Sequence, residues 1–168
     1  MSHIGHDSIL PRARPLRAPR IRASRGVRVA WGGVAVACLA VLSVAVYLKP
    51  DPRGYGTHQG LGRAFPPCSF MLRTGLPCPS CGMTTAYSNV VRGRLWTAFL
   101  AQPAGMVFAL ATIATFLFSL YVVVSGKTIW INWDRIATRV MLTLGLLIAG
   151  GWGFKIAYGL LRGTLPVK

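Results

Sequence analysis

Carboxylates are nearly missing from this chain. It has no Glu, and its three acidic residues, Asp7, Asp51 and Asp134, stand far apart against nineteen Lys and Arg. An enzyme built on paired carboxylates for general acid–base work is therefore disfavoured. Charge of any kind is scarce, at 13% of residues, where a soluble domain carries about 25%. Other features are missing too. Cys81 is followed by Gly82 rather than His, which sets aside covalent haem attachment through Cys-x-x-Cys-His. Arg28 is not part of an Arg-Arg pair, so a twin-arginine signal is not supported. Gly54-Tyr55-Gly56 is only a weak turn signal, not a phosphate-binding loop. The chain is instead apolar and basic: 53% hydrophobic residues and a net charge of +16, with a positive mean hydropathy of +0.50. That apolar content excludes a disordered basic protein. The composition predicts a small basic integral membrane protein, all-α, with three transmembrane helices.

Residues 1–28 read as a disordered basic tail. Seven arginines, Arg12 to Arg28, are interleaved with Pro11, Pro15 and Pro19, and proline at this density opposes a helix. No aromatic residue among them offers a base-stacking surface, and an apolar segment follows at once. Anionic lipid headgroups are the expected partner and nucleic acid is not. Residues 29–48 form the first span: Val29 to Leu48 has no charge, and about 20 residues cross the hydrocarbon core. A signal anchor fits this length better than a cleavable signal peptide. Trp31 and Tyr47 suit interfacial anchoring, and mid-span Cys38 a small packing role. Residues 49–103 are a Gly- and Pro-rich, Cys-containing loop with short helices, among them an interfacial turn at Leu95–Leu100, closed by Pro103. Residues 104–124 form the second span. Residues 125–139 form a connecting loop with Trp130, Trp133, Asp134, Arg135 and Arg139. Residues 140–161 form the third span, and 162–168 a C-terminal tail. Lys155 interrupts the third span near its end, where a snorkelling side chain is the expected explanation. Gly145, Gly150, Gly151 and Gly153 favour close helix contact, with a protein partner or a second copy of the chain. The Arg cluster beside the first span places the N-terminus in the cytoplasm. The cysteine loop then lies on the extracytoplasmic, oxidising side of the cell membrane.

Three of the four cysteines fall in that loop. Cys78-Pro79-Ser80-Cys81 precedes a helix-like run from Met83 to Val91, with Ser80 as its expected N-cap. A Cys near a helix N-terminus gains from the dipole, which is the basis of redox-active Cys-x-x-Cys sites. Two thiolates at this spacing also reach one metal ion. Cys68, Cys78 and Cys81 are thus candidates for a structural disulfide, a redox pair or a metal site. For metal, zinc or iron, three cysteines leave the tetrahedron short of a ligand, with His58 the only His nearby. No nucleophile–base pair competes with these thiols.

The run from Pro66 to Pro103 resembles DUF2752, an uncharacterised family of bacterial membrane proteins. Its hallmark is Cys-Pro-x-Cys-Gly after a Thr-Gly pair, then a short helix, a Gly, and Asn-Pro before a transmembrane span. Here Thr74-Gly75, Cys78-Pro79-Ser80-Cys81-Gly82, Gly93, Ala98 and Gln102-Pro103 occur in that order. Cys68 resembles an upstream Cys of many members, and the resemblance covers about residues 45–125. Thr85 stands where the family often has Arg, leaving Arg92 or Arg94 to take that role, and Gln102 stands for Asn. The resemblance implies no established activity. The favoured expectation is a non-enzymatic membrane protein, structural or part of a complex, whose surface loop is stapled by cysteine. A thiol-disulfide or metal site at Cys78 and Cys81 with Cys68 is the alternative.

Overall fold

The computed structural model describes residues 20–62, 66, 68–129 and 133–163. Residues 1–19 of the basic tail, Trp130 and the last five residues lie outside them. The chain is mostly helical. Strand β1 (Arg20–Arg22) leads into helix α1 (Arg25–Tyr47). A 3-10 turn (Thr57–Leu61) and the short helices α2 (Ser69–Thr74), α3 (Met83–Val90) and α4 (Leu95–Ala101) follow. Helix α5 (Pro103–Ser125), strand β2 (Lys127–Ile129) and helix α6 (Trp133–Leu161) complete the order. Three helices, α1, α5 and α6 from Thr138, are long and apolar enough to cross a membrane. Their outward residues, among them Val36, Leu39, Leu117, Leu142 and Leu146, are large, apolar and exposed, as hydrocarbon-facing surface requires.

Local chemistry sets the helix limits. Ser24 caps α1, its hydroxyl accepting from the Val27 amide at 3.3 Å. Pro103 stands in the first turn of α5, where its missing N–H costs nothing. Gly126 ends α5 in the left-handed region at φ 64°. The α5–α6 connection is shorter than expected, because α6 begins at Trp133 rather than Val140. Trp133–Arg139 holds no Gly or Pro that would break it.

α1 runs toward the cysteine loop, α5 returns, and α6 runs parallel to α1. At the far end β1 and β2 pair antiparallel, with Arg22 opposite Lys127. This ribbon is the one sheet among the described residues, and the sequence reading did not anticipate it. Beside it the Arg28 guanidinium donates to the Val123 carbonyl at 2.6 and 3.2 Å, which satisfies the carboxyl end of α5. α1 packs on α5 through an edge-on Trp31–Phe118 pair, 5.2 Å between centroids. Cys38 is half-buried in α1. At the other end α3 is drawn into the protein. Ala86 and Val90 pack with Ala98 and Ala109, and Gly105 lets α5 approach so closely that a Cβ there would sit 2.9 Å from the Ala86 Cβ. The polar face of α3 is buried as well, and each group finds a partner. Ser88 Oγ donates to the Leu48 carbonyl at 2.5 Å, Asn89 Nδ2 to the Thr85 carbonyl at 2.9 Å, and Thr85 shares a 2.7 Å hydrogen bond with Thr57. Arg92 caps the end of α1, donating to the carbonyls of Ala45, Val46 and Leu48.

Of the four glycines expected to bring helices together, only Gly151 does so within the chain. Its Cβ position lies 3.2 Å from the Ala104 amide nitrogen, whereas Gly145, Gly150 and Gly153 have no atom within 4 Å.

Candidate functional site

The cysteine loop is held from behind by its own carbonyls. Trp152 Nε1 donates to the Pro77 carbonyl at 2.7 Å, Gln102 Nε2 to Pro79 at 2.9 Å, and Lys155 Nζ to Cys81 at 2.9 Å. All three donors come from α6 and the start of α5, so one wall takes the three carbonyls although the chain turns from Cys78 to Cys81, where the Cys81 amide donates to the Cys78 carbonyl at 3.0 Å. Lys155 also donates to the Gly54 carbonyl at 3.0 Å. It is buried, at 8% exposure, with the Tyr55 ring 5.8 Å from its ammonium. The expectation that Lys155 snorkels is therefore wrong. Two carbonyls and an aromatic face inside the protein replace the water it would have sought. The Gly54 carbonyl is itself set by a turn, Gly54 N–H to Asp51 O at 3.0 Å. Arg53 braces that turn, bridging Asp51 at 2.7 Å and holding its carboxyl below the usual range.

Gly82 closes the loop. Its φ is 89°, a region that favours glycine. A Cβ there would lie 2.6 Å from the Gly54 carbonyl oxygen and 2.7 Å from that of Ala101. Gly82, not Ser80, is the N-cap residue of α3. The Ser80 hydroxyl turns instead to the Cys78 sulfur at 3.3 Å.

With the backbone fixed in this way, three sulfurs converge. Sγ of Cys68, Cys78 and Cys81 all lie within 4.8 Å of one another. Cys78 and Cys81 are hydrogen-bonded at 3.1 Å. The backbone of the loop is held by the hydrogen bonds from Trp152, Gln102 and Lys155, independently of any bond between the sulfurs. The two thiols of the motif differ in acidity. Burial, and then the hydrogen bond with Cys78, push Cys81 up to about 12. Burial opposes charge on Cys78 as well, but hydrogen bonds from Ser80, Cys81 and Cys68 outweigh it and bring that thiol down to about 7. His58 stays outside the trio, its Nε2 3.3 Å from the Pro66 carbonyl. In front of the sulfurs lies a cleft of about 770 Å³ between α1 and α3, with Val41 and Val44 on one wall and Met83 and Tyr87 on the other.

Sequence reading brought the three cysteines forward but missed Trp152, Gln102 and Lys155 as loop holders. The only signals were a Trp and a Lys three residues apart, on one face of a helix. Arg92, one of the two arginines considered for the role of the family's Arg, caps α1 instead of joining the sulfurs.

The fold and site define a class: a helical protein with three helices apolar enough to cross a membrane and a cysteine cluster at one end of them. Residues 68–116 match the family model DUF2752, described as a protein of unknown function. No curated protein and no solved structure matches the chain.

Proposed function

We propose that this chain is a multi-pass membrane protein that carries out thiol-disulfide exchange at Cys78 and Cys81, with Cys68 as a third participating thiol. The observation that carries this reading is the 3.1 Å contact between the two sulfurs. Two thiolates on one tetrahedral zinc, each at about 2.3 Å, stand roughly 3.7 Å apart. A closer pair is nearer to bond formation than to sharing an ion. The asymmetry of the two thiols supports the same reading. Cys78, held down to about 7, supplies the attacking thiolate. It breaks a partner's S–S bond and forms a mixed disulfide, and the partner's second sulfur leaves as a thiolate. Cys81 then loses its proton and attacks the Cys78 sulfur, releasing the partner as a dithiol. The reverse sequence oxidises a partner dithiol.

The arrangement suits the oxidising side of the cytoplasmic membrane. Arg20 and Arg22 in the β1–β2 ribbon and Arg28 beside it lie at one end of the bundle, and anionic headgroups in the cytoplasmic leaflet favour such an end. A periplasmic reporter fused after Gly60 is expected to be active; silence there reverses the orientation. Redox-buffered alkylation followed by mass analysis tests the activity. The Cys78–Cys81 couple is expected between about −270 and −120 mV, the span of thiol oxidoreductases, whereas a value below about −300 mV would mark a structural staple and end the proposal.

A metal site is the second reading, and the third sulfur favours it, since all three lie within 4.8 Å. Three thiolates suit zinc or iron with the remaining position turned to the cleft. Stoichiometric metal in protein purified from membranes would replace the redox reading with this one.

A further inference from the structure

Exchange in the direction that oxidises a partner dithiol leaves Cys78 and Cys81 as a reduced pair that must pass two electrons on, and the cleft in front of the sulfurs limits what can receive them. Its residues are apolar, hydroxyl-bearing or thiol-bearing apart from His58, and no Lys, Arg, Asp or Glu is among those described. A charged soluble disulfide such as oxidised glutathione would be desolvated there without a counter-charge, which is costly. The wall from α1 is the last part of a candidate membrane span, and Val41 and Val44 are 49% and 44% exposed on the face where hydrocarbon would lie. The cleft is therefore open to the bilayer on one side and floored by thiols on the other. Its volume of about 770 Å³ falls within the usual range for sites that enclose a drug-sized molecule.

We infer that this cleft binds a lipid-soluble quinone, which takes the two electrons of the Cys78–Cys81 dithiol. The inference rests on the exchange reading above. A neutral ring with an apolar tail fits a wall of valines, and the half-buried Thr84 hydroxyl in the cleft lining can donate to a ring carbonyl. The reaction balances. Two S–H bonds break and one S–S bond forms, and the two electrons and two protons released convert the quinone to its hydroquinone. An acyl chain would fit the valines equally well but would give the three thiols nothing to react with.

The test uses the full chain, reduced, in lipid nanodiscs. The probe is a decyl-tailed benzoquinone with a fully substituted ring, which cannot form thiol adducts. Loss of quinone absorbance is expected to match disulfide formation one for one. Val44→Trp, which fills the cleft, should slow this at least about tenfold, equivalent to about 1.4 kcal/mol, relative to the rate with diamide, a small oxidant that needs no apolar site. Oxidation by diamide but not by the quinone overturns the inference and leaves the exchange reading standing. If neither oxidant joins Cys78 to Cys81, the exchange reading itself falls. Equal slowing of both oxidants by Val44→Trp, or no slowing of either, removes the cleft as the binding site.

Discussion

The two sides of the cysteine loop differ in kind. Behind it, α6 and the α4–α5 corner hold three carbonyls with Trp152, Gln102 and Lys155, and a glycine leaves no room for even a methyl group. In front of it, three thiols face an apolar cleft and touch mainly one another and Ser80. One side fixes the backbone, and the other leaves the sulfur chemistry free. A disulfide staple would merge these roles, because the same sulfurs would then hold the loop. Keeping them apart lets the thiols change state without loss of the fold, provided the locked side is as rigid as its contacts indicate.

Gly82→Ala should do the most damage, because it attacks the locked side twice. It forces a side chain into a positive-φ conformation, and it drives a Cβ against two backbone oxygens that cannot swing aside. Each effect costs on the order of 1–3 kcal/mol. Thermal unfolding in detergent should show the variant destabilised by about 3 kcal/mol or more, or no folded protein at all. A variant as stable as the parent would mean that the loop is not clamped at this point.

Lys155→Met comes next. It removes two hydrogen bonds from a charged donor, each worth about 1.5–3 kcal/mol, and frees the Cys81 and Gly54 carbonyls. Part of this is offset, because a charge no longer has to be buried. The net loss should be about 2 kcal/mol, and the backbone amide of Cys81, in the turn this lysine holds, should lose protection from hydrogen exchange. Unchanged protection of Cys81 would show that Trp152 and Gln102 suffice.

The difference between the two sides also explains what the sequence could reveal. The three long helices were legible because the first two spans are uninterrupted charge-free runs and the third, from Val140 to Leu161, carries a single charge, Lys155, and lipid demands little else of a helix. The cysteine cluster was legible because Cys78 and Cys81 sit in one short motif with Cys68 just upstream. The locked side was not, because its holders come from far along the chain. Lys155 and Trp152 lie 74 and 75 residues beyond the carbonyls they hold, and only folding shows that a lysine near the end of a span turns inward. The N-cap was misread for a local reason. Ser80 has the right side chain, but the turn from Cys78 to Cys81 spends it on sulfur and leaves Gly82 to begin the helix.

On the open side the expected effects fall on reactivity rather than stability. At pH 7 a thiol with the ordinary value of 9.0 is about 1% thiolate, whereas one brought down to about 7 is about half. Iodoacetamide should therefore label Cys78 with a midpoint near pH 7, and the labelling should fade as pH falls through that value. Cys81, pushed up to about 12, should stay unlabelled across the neutral range. Equal labelling of the two would remove the asymmetry on which the exchange reading depends.

Ser80→Ala should have the smallest effect, and it divides the two sides most sharply. Its hydroxyl contributes a 3.3 Å hydrogen bond to the Cys78 sulfur and holds no part of the locked wall. A single hydrogen bond of this kind is worth about 1 kcal/mol. Losing it should move the Cys78 labelling midpoint upward by a fraction of a pH unit, toward the ordinary thiol range, because the thiolate loses one of the donors that stabilise it. The unfolding temperature should not change, since the backbone carbonyls keep all three partners. If stability falls together with the midpoint, the thiol side also carries the fold and the separation of roles is lost. If the midpoint moves alone, the front of the loop sets the chemistry while the back keeps it in place.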